Sequence, residues 1–140
     1  DDPEALLALA RPYAPGALFG AATHRGAGVV SLEGGAVAAS GPARVLTATG
    51  NPQAVARTAE VAGYGPVTLS AWRDHHWWSR SEARREIERA AGATLVLTRK
   101  DAVRWPLPAT EGKVAVLEVA WAWVSGGEAI ERHVFGEEAR

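Results

Sequence analysis

An aspartate followed by two histidines, Asp74-His75-His76, is the constellation in this sequence best suited to chemistry. A carboxylate beside an imidazole can fix its tautomer and raise its basicity, which makes a proton acceptor near neutral pH. The same residues also suit a surface turn whose histidines cap or pack. Adjacent histidines rarely both face one site, and His75 is the preferred candidate. Thr98-Arg99-Lys100-Asp101 comes second. Lys100 could hold a phosphate there and Asp101 could orient it; a solvated turn is the simpler reading. Gly50-Asn51-Pro52 opens a helix whose first N–H groups could meet an anion at Asn51, although a plain capped start explains it too. His24 and His133 have no ligand-like spacing to the histidine pair, so no metal site is expected.

Tryptophans crowd the same region. Trp72 is expected in the core, while Trp77 and Trp78 could pack, contact a sugar or acyl chain, or lie at a membrane interface. Trp121 and Trp123 share one strand face and are read as structural.

The elements that must position these residues are legible from residue 43 onward. Arg44–Thr49 reads as a strand rich in β-formers. Asn51 suits an N-cap, Pro52 the first helical position and Gly63 the stop of the helix between them. Val67–Trp72 is a second strand. Ser79 and Glu82 have capping-box spacing, and Ala83, Ile87, Ala90 and Ala91 give that helix its apolar face. Thr94–Thr98 carries a continuous Leu-Val-Leu run, which predicts burial on both faces. Lys113–Trp123 is a fourth strand. Strands alternating with helices predict an α/β, three-layer Rossmann-like domain with a mainly parallel sheet. In such sheets ligands gather at the carboxyl ends of strands, where all three polar groups fall.

Residues 1–42 read as a separate lead-in: a short helix over Ala5–Ala10, then β-like stretches at Ala17–Thr23 and Val29–Glu33 around His24-Arg25-Gly26, with a hairpin turn at Gly34-Gly35. The expected division is therefore a linker ribbon at 1–42 and an α/β domain at 43–140.

Composition limits the function classes. The net charge of −1 gives no broad field for nucleic acid, and with no cysteine there is no disulfide, thiolate metal site or cysteine nucleophile. No apolar run reaches the roughly 18 residues of a membrane span. The chain opens at Asp1 and has no methionine, so an excised piece of a longer protein is expected. It has no G-x-x-x-x-G-K-[ST] loop for a triphosphate and no G-x-S-x-G elbow.

Three segments together resemble the C-terminal part of the tetraacyldisaccharide 4'-kinase (lipid A 4'-kinase) family. Val45-Leu46-Thr47-Ala48-Thr49-Gly50-Asn51-Pro52, followed by Arg57-Thr58 and Gly63-Tyr64, is similar to the stretch after the kinase core. Trp72-Arg73-Asp74-His75-His76 resembles the family's aromatic-x-Asp-His-His loop, and Leu97-Thr98-Arg99-Lys100-Asp101-Ala102-Val103-Arg104 its Thr-Glu-Lys-Asp-Ala-Val-Lys/Arg signature. The likeness is best over residues 44–106.

The resemblance implies transfer of the γ-phosphate of Mg-ATP to the 4' hydroxyl of a tetraacyldisaccharide 1-phosphate in lipid A synthesis. It implies ATP and Mg2+ bound mainly by an N-terminal P-loop domain outside this chain, a lipid disaccharide substrate, and work at the cytoplasmic face of the bacterial inner membrane. His75 would pair with an aspartate of the N-terminal domain to activate the hydroxyl, and Asp74 stands beside it as the second catalytic candidate. From their own types and positions, His76, Lys100, Asp101 and Asn51 are the further candidates for contact with substrate or phosphate. Two positions depart from the pattern: Arg99 stands for the usual glutamate and Trp77-Trp78 for the usual Pro-Tyr. The alternatives are a metal-dependent phosphoesterase of the Asp-His-His type and a non-catalytic lipid- or protein-binding α/β module.

Overall fold

A computed structural model of the chain describes residues 2–136. Its centre is a five-stranded sheet in the order β1-β5-β4-β2-β3, formed by β1 (Ala21–Ser31), β2 (Ala43–Thr47), β3 (Val67–Ala71), β4 (Thr94–Thr98) and β5 (Val114–Ser125). β2 runs parallel to both β3 and β4, and β4 runs parallel to β5. The connections carry helices, as parallel pairing requires. These are α2 (Pro52–Ala62), α3 (Arg80–Ala90) and the single turn α4 (Arg99–Ala102). Two more helices, α1 (Pro3–Ala10) and α5 (Gly127–Phe135), complete the set. The result is the α/β, mainly parallel, Rossmann-like architecture expected.

Period-two alternation along the central strands splits the core into two layers. Val45 and Val96 face one side, with Ala59 and the half-buried Val55 of α2 packed over them. Leu46, Leu95 and Leu97 face the other, under Ala83 and Ile87 of α3. Leu95, Val96 and Leu97 are all buried, so this strand is covered on both faces. Each such side chain stabilises the fold by roughly 1.5–3 kcal/mol through burial.

The helix boundaries follow local chemistry. Asn51 Oδ1 accepts the Ala54 N–H, and Gly63 closes α2 in the left-handed region at φ 118°. Ser79 and Glu82 form both halves of a capping box at the start of α3. Glu86 of α3 is fully buried and receives Arg44 Nε of β2 (3.0 Å) and Arg89 Nη1 (2.9 Å), which ties this helix to the sheet.

The region before residue 43 differs from the linker expected. The two short β-like stretches merge into β1, a strand of the main sheet. His24-Arg25-Gly26 looked like a break because it is polar, but that part of β1 is exposed and polar residues suit it. The Gly34-Gly35 turn does form, with Ser31 N–H donating to Gly35 O (2.7 Å), and its return is the single bridge Val30–Ala36. The chain divides into two compact units, Gly26–Val119 and the segments on either side of it. Those boundaries do not coincide with a 42/43 division. In the second unit α5 begins after Gly126 (φ 69°), where a side chain would meet the Phe19 carbonyl. No side chain caps α5, so the usual start signal is missing from the sequence.

Candidate active site

β3 delivers the chain into the loop of residues 72–79 at the carboxyl edge of the sheet. Backbone bonds fasten this loop to the end of β2: Trp72 N–H donates to Thr47 O (2.9 Å) and His75 N–H to Ala48 O (3.2 Å). At its far end the loop becomes the N-cap of α3. There Glu82 Oε2 accepts the Ser79 N–H (2.8 Å) and the Ser79 hydroxyl (2.9 Å). These bonds lower the carboxyl of Glu82 below its ordinary range: the Ser79 backbone first, then the Ser79 hydroxyl, with His76 adding a smaller effect against partial desolvation.

The two histidines part company. His75 is directed to solvent, its side chain 71% exposed, on a backbone with φ 61°. A left-handed conformation costs a residue with a Cβ roughly 1–2 kcal/mol, so the surrounding bonds must hold it. Asp74 lies against it, with Oδ1 accepting the His75 N–H (3.0 Å) and Oδ2 standing 3.6 Å from Nε2. The second distance is too long for a direct hydrogen bond. Lys100 Nζ, from α4, reaches within 3.8 Å of Asp74 Oδ1. The loop and the end of β4 thus present an imidazole, a carboxylate and an ammonium together to solvent.

His76 turns inward instead. Its ring stacks at a tilt on Trp72 (centroids 4.6 Å apart) and meets Trp78 edge-on (5.6 Å), with Nε2 at 3.4 Å from Glu82 Oε2. Trp78 is buried and Trp77 is exposed, which separates the two tryptophans that the sequence left open. Trp72 packs at the edge of the core, as expected.

Behind the exposed cluster lies a buried one. Asp101 is fully buried and its two oxygens receive Thr47 Oγ1 (2.7 Å), Thr98 Oγ1 (2.7 Å), Ala48 N–H (3.3 Å) and Arg104 Nη2 (2.9 Å). Arg104 is nearly as enclosed and also donates from Nε to Lys100 O and from Nη1 to His76 O, both at 3.2 Å. Its guanidinium lies 5.9 Å from the centre of the Trp78 ring.

A family model described as "Tetraacyldisaccharide-1-P 4'-kinase" matches residues 15–134. The chain belongs to that family. A tetraacyldisaccharide 4'-kinase of Gluconobacter oxydans (strain 621H) is 39% identical over 64 residues, which are 44% of this chain and 20% of that protein. Another, of Rhodospirillum centenum (strain ATCC 51521 / SW), is 38% identical over 76 residues, 53% of this chain and 22% of that protein. The match thus spans about a fifth of the curated relatives' length. No solved structure matches the chain.

For this family member the site residues expected from sequence sort into two groups. Asp74, His75 and Lys100 come together at the surface. The others have different surroundings. Asp101 was expected to orient a phosphate, but its carboxylate is enclosed and saturated by protein donors, so it ties strand ends together. His76 was expected near substrate but is packed between indoles as an anchor of the loop. The Asn51 side-chain oxygen is used on the Ala54 N–H as a helix cap. Arg99, the charge reversal in the signature, pairs with Glu118 of β5, which accounts for its charge locally. Among the described residues no group of three histidine, aspartate or glutamate side chains could hold a metal ion.

Arg104 and Thr47 were not expected at the site. Thr98 and Asp101 have the same spacing as a capping pair, and Thr98 Oγ1 does accept the Asp101 N–H (3.1 Å). That signal pointed to an ordered turn at α4.

Proposed function

We propose that this chain is the C-terminal domain of an ATP-dependent lipid kinase that phosphorylates the 4' hydroxyl of a tetraacyldisaccharide 1-phosphate in lipid A synthesis. His75 is its proton acceptor. The observation that carries the reading is the solvent-facing Asp74–His75–Lys100 group on a loop fastened to the sheet behind it. Family membership supplies the reaction class.

Phosphoryl transfer needs a positioned acceptor hydroxyl, neutralised charge and a group to take the proton. His75 is exposed, so it can meet an incoming sugar hydroxyl and accept its proton, with the Asp74 carboxylate 3.6 Å from Nε2. Lys100 brings a positive charge toward the same space and is available to an anionic oxygen of the substrate.

The residues present do not fit Mg-ATP. The sequence lacks a P-loop, and among the described residues no side-chain cluster suits a metal ion. Nucleotide and Mg2+ are therefore assigned to a P-loop domain of the same polypeptide outside residues 1–140. The full protein acts as a peripheral enzyme at the cytoplasmic face of the inner membrane, where its lipid substrate lies. No helix among the described residues is long and apolar enough to cross a membrane.

A kinase assay tests this. The chain alone, given Mg-ATP and the lipid disaccharide, should turn nothing over. Joined to its P-loop domain it should phosphorylate the 4' position, and His75→Ala should remove that activity. Turnover by the chain alone, or full activity of the His75→Ala protein, overturns the assignment.

A further inference from the structure

We propose that Arg104 is a positioning residue for His75, acting through the carbonyl of His76 and held in place by Asp101. The inference deepens the proposed role of His75 and rests on it for its catalytic consequence alone.

Three contacts of one guanidinium carry the argument. Nη2 donates to Asp101 Oδ1 (2.9 Å), Nε to Lys100 O (3.2 Å) and Nη1 to His76 O (3.2 Å). A planar fork of fixed N–H directions can serve acceptors on several sides at once, which a lysine ammonium on a flexible stem cannot reproduce. The Arg104 side chain is 6% exposed and that of Asp101 is 0% exposed, so water does not readily replace a lost contact.

The connection brackets His75. On its N-terminal side, His75 N–H is held by Ala48 O, and the Ala48 N–H is itself held by Asp101 Oδ1. On its C-terminal side, the carbonyl of His76 is held by Arg104, which the same Asp101 oxygen receives. One carboxylate thus anchors both flanks of a residue whose backbone sits at φ 61°. Arg104 also holds the carbonyl of Lys100, so the loop bearing His75 and the turn bearing Lys100 share one clamp.

Amide hydrogen exchange on the 140-residue chain provides the first test. Arg104→Lys keeps the charge and removes the fork. The His75 amide should then exchange about tenfold faster or more, the scale of losing one buried partner, with Val96 and Leu97 amides unchanged. Unchanged exchange at His75 overturns the proposal. Should the variant fail to fold, NMR of the unmutated chain decides. Separate, slowly exchanging Nη1 and Nη2 signals for Arg104 support the clamp, and one averaged signal overturns it.

The second test is kinetic, on the polypeptide that includes the P-loop domain. Arg104→Lys should lower kcat and leave KM for nucleotide unchanged. Added to His75→Ala it should cause no further loss, because its effect passes through that ring. A fully additive loss overturns the positioning role. If His75→Ala alone has no effect, the proposed function fails, while the exchange result on the clamp stands on its own.

Discussion

Two pairs, each an aspartate with a nitrogen base, flank the end of β2, and beyond the shared aspartate they differ in almost everything. Asp74 and His75 follow β3; Asp101 and Arg104 follow β4. The first pair is exposed, with side chains at 49% and 71% accessibility and 3.6 Å between Asp74 Oδ2 and His75 Nε2. The second is enclosed, and the Asp101 carboxylate is met by four protein donors. A saturated buried carboxylate has no lone pair left for a ligand, and removing any of its partners leaves an uncompensated group. An exposed, loosely partnered pair costs little to leave unsatisfied and can change partners. Burial, then, assigns anchoring to one pair and availability to the other.

The sharpest break of this comparison is His75→Ala in the kinase with its P-loop domain. Loss of a proton acceptor should cut kcat by about 10²–10⁴-fold. Folding stability of the chain should move by no more than about 0.5 kcal/mol, because the side chain is largely exposed. Urea unfolding and steady-state rates measured together check both halves.

Asp101→Ala should do the reverse. It strands the buried Arg104 guanidinium and should cost about 3–5 kcal/mol of stability, read as a lower urea midpoint at pH 7. A cost under about 1 kcal/mol, the scale of a surface pair, would erase the distinction between the two clusters. Asp74→Ala belongs with the first pair. It should leave the stability measured by urea unfolding within about 0.5 kcal/mol of the unmutated chain and lower kcat by less than His75→Ala, since no direct bond reaches the ring.

Much of the scaffold was legible because its signals are local. Asn51-Pro52 and Gly63 bound α2, Ser79 and Glu82 start α3, and Leu95-Val96-Leu97 announces a strand covered on both faces. β1 was read as fragments because its middle is polar and exposed, which interrupts hydrophobic patterning without interrupting a strand. α5 carried no cap to reveal it. At the site, the rule that neighbours point apart favours one histidine, and His75 is largely exposed while the His76 ring meets two indoles. Which residue of the Thr98–Asp101 turn would be buried was not legible. Its aspartate and lysine look alike on a surface scale, and half of the donors that meet the buried Asp101 come from Thr47 and Ala48, more than fifty positions away. Arg104 shows the same limit, because its partner His76 O comes from a different connection of the sheet.

The smallest expected effect sharpens the comparison at the other end of the loop. Glu82 is a third carboxylate, more open than Asp101 yet committed to the Ser79 N–H and hydroxyl. Those bonds lower its carboxyl below the ordinary 4.5, the backbone bond of Ser79 contributing most. A lowered folded value means the unfolded chain takes up the proton first as the pH falls. The stabilisation is therefore complete above pH 4.5 and drains away below it, down through the folded value. Glu82→Gln removes the titrating group, so its urea midpoint should fall less steeply between pH 4.5 and more acidic values than that of the unmutated chain. Because Glu82 also sits 3.4 Å from His76 Nε2, the variant should loosen the ring from its place between the indoles, read as a change in His76 ring shifts at neutral pH. The His75 amide, held by Ala48 and the Arg104 clamp, should keep its protection. Parallel acid limbs for the two proteins would deny Glu82 its place in the cap. Lost protection at His75 would instead show that the cap and the clamp work as one unit.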